Sequence, residues 1–137
     1  MITKDQKEKL NKILGESRVA LIYLFGSEAR GTSHKESDVD IGILFDKKVE
    51  QKDYLKLEGK LIGFFSGIYP KNEINIVNFN IASPLLKQVA ILEGKPLYIR
   101  SDLDRILFQI QTLHEYEDYL HLSRIYNQFL DLKLKAL

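Results

Sequence analysis

Gly26 and Ser27 are followed, ten residues later, by Asp38-Val39-Asp40. Glycine accepts the unusual dihedrals of a turn whose backbone N–H groups converge on an anion. Side chains two apart on a strand share a face, with their Cα atoms roughly 6–7 Å apart. Carboxylates so placed can share a cation. Hard divalent ions such as Mg²⁺ prefer oxygen ligands and complete their shell with substrate phosphates. A phosphate cradle beside a metal-binding carboxylate pair is the minimum equipment for moving a phosphoryl or nucleotidyl group.

Such chemistry needs rigid elements on both sides. Two apolar runs, Val19–Phe25 and Val39–Phe45, flank the motif and read as buried strands. Gly26-Ser27 ends the first, and Asp38 and Asp40 open the second. A helical turn is expected over 27–31 and a polar loop over 32–37. Upstream, Thr3 and Gln6 have the spacing of a capping box, predicting a short helix to Leu14 with Gly15 as its stop. Downstream, Tyr54, Leu57, Leu61, Ile62 and Phe65 recur at helical spacing over 53–65, with Gly67 and Pro70 marking the end.

A third strand is expected over 73–79. Ile74, Ile76 and Asn78 would lie on one face and Glu73, Asn75, Val77 and Phe79 on the other. Ser83-Pro84 reads as an N-cap followed by proline at the first helical position, with Gly94 ending that helix. Residues 96–100 suit a short edge strand, where proline is tolerated. From 101 to 137 there is neither Gly nor Pro, and one kinked helix or two helices are expected. Leu103, Ile106, Leu107, Ile110, Leu113 and Leu120 mark its apolar face. The expected architecture is an α/β sandwich.

At 137 residues and 45% hydrophobic content, the chain is expected to form a single domain with an ordinary core. A net charge of +1 gives no electrostatic case for nucleic-acid or membrane binding. The absence of cysteine excludes disulfides, thiol nucleophiles and Cys-ligated zinc. The start of the chain is charged, without the apolar core of a signal peptide, and no run approaches a membrane span. The expected location is the cytoplasm.

Gly26-Ser27, Ala29-Arg30-Gly31 and Ser37-Asp38-Val39-Asp40 together resemble the minimal nucleotidyltransferases (MNT) of the DNA polymerase β-like superfamily. The resemblance runs from about Arg18 to the C-terminal helix. It implies a small mixed sheet flanked by helices, with a nucleotidyltransferase core over about 1–100 and a C-terminal helical segment over about 101–137. It also implies ATP as substrate and Mg²⁺ as cofactor, with Asp38 and Asp40 as metal ligands. Gly26 and Ser27 would hold the β- and γ-phosphates. A hydroxyl would attack the α-phosphate in line and pyrophosphate would leave.

In such enzymes the third strand usually supplies another aspartate, which completes a second metal site and takes the proton of the attacking hydroxyl. Asn75 stands at the matching position. An amide is a neutral oxygen ligand and a far poorer base. Glu73 lies on the same face but about 7 Å along the strand, so it would reach back only partly.

Within this family the chain is most similar to the antitoxin half of HEPN–MNT toxin–antitoxin pairs. That likeness implies a hetero-oligomer with a HEPN ribonuclease and transfer of AMP to a tyrosine of that toxin. Two alternatives are an antitoxin acting by contact alone, which Asn75 favours, and an enzyme modifying a small hydroxylated molecule.

The remaining polar residues are less informative. Arg30 would return to the face of Ser27 on a helical turn, there to meet a phosphate or to brace a carboxylate. Ser37 would support the loop before Asp38. His34 reads as a solvated loop residue. His114 and His121 lack partners for a zinc site. Tyr116, Tyr119 and Tyr126 would pack on the core or, more interestingly, face a partner.

Overall fold

The structure is a computed structural model and describes residues 3–26 and 38–137. The elements run α1 (Lys4–Ser17), β1 (Val19–Phe25), β2 (Val39–Phe45), α2 (Gln51–Ile68), β3 (Ile74–Asn78), α3 (Pro84–Glu93), β4 (Lys95–Ile99) and α4 (Asp102–Lys135). The turn and loop expected over 27–37 lie outside the described residues.

The four strands form one mixed sheet in the order β3-β2-β1-β4. β1 runs antiparallel to both β2 and β4, whereas β2 and β3 are parallel. A parallel neighbour needs a crossover, and α2 supplies it. All seven residues of β1 are buried, as its continuous apolar run requires of a central strand. A bulge between Val19 and Leu21 shifts the alternation once. Val19, Ile22 and Leu24 therefore face one side, and Leu21, Tyr23 and Phe25 the other.

The first face packs against Leu10 and Leu14 of α1 and Leu61 and Phe65 of α2. The second is covered by α3 and α4, where Phe79 and Phe108 stack with ring centroids 5.1 Å apart. Phe79 lies directly over Gly42; a Cβ there would fall 1.9 Å from the ring. Only glycine lets that ring close the layer.

The Thr3 capping box forms: Gln6 N–H donates to Thr3 Oγ1 at 3.2 Å, and Thr3 N–H to Gln6 Oε1 at 2.9 Å. The helix does not stop at Gly15 as expected. It continues to Ser17, and Arg18 takes the left-handed position with φ of 50°. α2 is also longer than the 53–65 segment expected, passing through Gly67 before Tyr69 caps it. Ser83 caps α3 through the Leu86 N–H, and Gly94 ends it, both as expected.

α4 is one 34-residue helix, one of the two forms expected, with only Phe108 and Thr112 buried. The apolar face marked by Leu103, Ile106, Leu107, Ile110, Leu113 and Leu120 is exposed along its whole length. Phe108 and Thr112, four residues apart, take the inner side, and the helix packs there on α3, β1 and β4. The aliphatic residues outnumber what one contact face holds, so periodicity alone does not say which stripe turns inward. α4 is tied down by an ion pair between Lys87, buried on α3, and Glu115.

Candidate functional site

The site forms where β1 ends and β2 begins. Phe25 pairs with Asp40, and Asp40 pairs on its other side with Asn75 of β3. Alternation sends Val39 and Ile41 into the first core layer, and therefore turns Asp38 and Asp40 to the opposite face. Asp38 is exposed and Asp40 half-buried. The Val39 N–H donates to the Glu73 carbonyl at 2.8 Å, anchoring the start of β2 against β3.

Gly26 closes the site from the β1 side, with φ of 75°. A Cβ on it would lie 2.3 Å from Asp40 Oδ2. The backbone conformation and the close approach thus both require glycine. The Asn75 amide sits between the two carboxylates: its Nδ2 donates to Asp38 Oδ2 and to Asp40 Oδ1, each at 3.3 Å.

Four residues singled out in the sequence, Gly26, Asp38, Asp40 and Asn75, therefore come together. Ser27 and Arg30 lie outside the described residues, as do His34 and Ser37. Among the described residues, no group of three or more acidic or histidine side chains is placed to hold a metal ion, so Glu73 does not complete a triad with Asp38 and Asp40. The oxygen donors are the two carboxylates, with the Asn75 nitrogen turned toward them. Two carboxylates fit a hard divalent cation such as Mg²⁺ and do not suit a soft one.

A second polar cluster, which sequence reading missed, lies at the far end of β2. Arg100 donates to Asp46 at 2.6 Å and, through two nitrogens, to Asp104 at 2.8 and 3.1 Å. The Arg100 guanidinium holds the Asp104 carboxyl below the usual carboxylate range. Asp46 is held down first by the Lys48 backbone N–H and then by Arg100. The two carboxylates in turn push the Arg100 pKa further up. The Arg100–Asp104 spacing of four was a visible signal; the approach of Asp46 was not. This cluster edges a cavity of about 760 Å³ between the sheet and α4, distinct from the carboxylate site. Among the described residues, no helix is long and apolar enough to cross a membrane.

The polymerase β nucleotidyltransferase family model matches residues 8–103. The protein adenylyltransferase MntA of Shewanella oneidensis is 30% identical over 113 residues, spanning 81% of this chain and 77% of that protein. Among solved structures, a chain of a toxin-antitoxin complex with AMP-PNP superposes with a TM-score of 0.65 at 29% identity, covering 91% of this chain and 95% of that one. The complex of a tri-AMPylated Shewanella oneidensis HEPN toxin with its MNT antitoxin matches with a TM-score of 0.60 at 25% identity, over 93% of this chain and 95% of the matched chain. In fold and in sequence, the chain belongs to the polymerase β nucleotidyltransferase family, among the minimal nucleotidyltransferases.

Proposed function

We propose that this chain is the antitoxin of a toxin–antitoxin pair, and that it binds ATP with Mg²⁺ and transfers AMP to a tyrosine of a HEPN ribonuclease. The observation that carries the reading is Asp38, just before β2, and Asp40, on it, both held by the Asn75 amide and backed by a glycine that no other residue can replace. The likeness to an adenylyltransferase and to a chain of a toxin-antitoxin complex crystallised with AMP-PNP supports ATP as the donor.

Asp38 and Asp40 are the residues that would hold the cation. When bound, it neutralises charge on the phosphate oxygens during transfer. Gly26 brings the backbone close to the triphosphate, with Ser27 beside it in sequence. Asn75 completes the polar wall, but an amide does not accept the proton of the attacking tyrosine at neutral pH. That proton therefore leaves to water or to the acceptor's own surroundings, and the transfer is slow. The exposed aliphatic and aromatic residues of α4 are the docking face for the toxin.

The test is to mix the chain with labelled ATP, Mg²⁺ and the toxin encoded beside it. Label is expected on a toxin tyrosine, and none with Asp38→Asn/Asp40→Asn. A second reading, neutralisation by contact alone, draws on the hydrogen-bonded Asn75 in place of a third carboxylate. If the double variant still silences the ribonuclease fully and no label transfers with the parent, contact alone suffices.

A further inference from the structure

Asn75 need not merely replace a missing carboxylate. Its Nδ2 points at both Asp38 and Asp40, 3.3 Å from an oxygen of each. The opposite amide orientation would set Oδ1 against two carboxylates, with no donor between them, so the nitrogen-inward rotamer is the stable one. An N–H donor and a cation compete for the same carboxylate lone pairs. A third carboxylate in that position would repel the other two and invite a cation, whereas an amide donor bridges them.

We propose that Asn75 acts as a competitor of the metal: it holds Asp38 and Asp40 as a hydrogen-bonded pair, and a divalent cation must displace its N–H groups to bind. This inference rests on the assignment of Asp38 and Asp40 as metal ligands. Its consequence is functional. A cation arriving alone must break both amide hydrogen bonds and gains only the two carboxylates. A cation arriving on a triphosphate brings the nucleotide's own contacts as well. The site then takes up metal and nucleotide together and stays without metal when nucleotide is scarce.

The test separates a competitor from a ligand. Mn²⁺ binding to the full chain, without nucleotide, is followed by electron paramagnetic resonance for the parent, Asn75→Ala and Asn75→Val. Valine keeps the strand preference and the approximate bulk while removing the donor. The competitor role predicts that both variants bind Mn²⁺ more tightly than the parent, by about five-fold or more, because two charge-assisted hydrogen bonds no longer oppose the ion. If both variants bind Mn²⁺ more weakly than the parent, or with the same affinity, Asn75 is not a competitor and the proposal is overturned. Asp38→Asn/Asp40→Asn serves as the control for place and is expected to lose the bound Mn²⁺ signal. A double variant that binds Mn²⁺ like the parent overturns the site assignment itself, and this inference with it. Weaker binding by the Asn75 variants with loss of signal in the double variant overturns the inference alone.

Discussion

At the scale of single residues, the site turns on two positions. Gly26 combines a left-handed backbone with a Cβ position that falls on Asp40. Gly26→Ala therefore carries about 1–2 kcal/mol of backbone strain and also pushes the Asp40 carboxylate aside. The expected result is a loss of about tenfold or more in Mg²⁺-ATP affinity by calorimetry, with a melting temperature lowered by only a few degrees. An unchanged affinity would remove Gly26 from the site. Asn75 is the second position. Asn75→Asp restores a base of a kind that contributes typically 10²–10⁴-fold to rate. AMP transfer to the toxin should rise, while ATP affinity at saturating Mg²⁺ stays within a few-fold. Glu73→Gln in the parent background should change neither, because Glu73 makes no carboxylate group with Asp38 and Asp40. If Asn75→Asp leaves the rate unchanged, β3 carries no catalytic group. These positions were legible in the sequence because spacing and strand alternation determine which side chains share a face. The amide bridge from Asn75 to both carboxylates was not legible, because register between β2 and β3 is a tertiary property.

At the scale of elements, the strands and helices differ in how openly they declare themselves. β1 and β2 are readable to the residue, since a seven-residue apolar run bounded by a small pair and by an aspartate leaves little choice of ends. The helix ends are less readable. Gly15 sits in open space inside α1, where glycine is tolerated without being needed, and the true stop is Arg18. α4 shows the limit of periodicity most clearly. Its existence follows from 37 residues free of Gly and Pro, but its inner face does not, because aliphatic residues recur on several sides. Which stripe turns inward is decided by fit against α3 and the sheet. The outer part of the helix is apolar and bare: Leu122 is 65% exposed, Tyr126 61% and Phe129 58%. A row of such side chains marks an interaction surface. Ile125→Asp with Phe129→Asp is expected to leave the melting temperature nearly unchanged, since neither residue is buried. Co-purification of the toxin should be lost. A variant that still captures the toxin at full yield would place the docking face elsewhere.

At the scale of the whole molecule, both buried residues of α4, Phe108 and Thr112, lie in its first three turns, and the Lys87–Glu115 pair follows in the fourth. The attachment must therefore be secured at its N-terminal end. There Ser101 caps the helix through the Asp104 N–H, and Arg100, at the end of β4, reaches both Asp104 on α4 and Asp46 after β2. One guanidinium thus joins two strand ends to the start of the long helix. Both carboxylates have folded pKa values below their ordinary ones. Their contribution to stability is fully present above the unfolded carboxylate value, near 4, and is lost as pH falls through the depressed folded values. Arg100 and both partners are partly solvated, so the network contributes only on the order of 1 kcal/mol. Arg100→Met keeps the aliphatic stem and removes all three hydrogen bonds. It should lower the melting temperature by a few degrees at pH 7. It should also flatten the fall in stability below about pH 4 relative to the parent. Helix content by circular dichroism should stay constant while toxin capture weakens, because α4 would still form but would be less firmly aimed. If the variant melts and captures toxin like the parent at every pH, the cluster is a surface ornament, and packing of Phe108 and the Lys87–Glu115 pair alone orients α4.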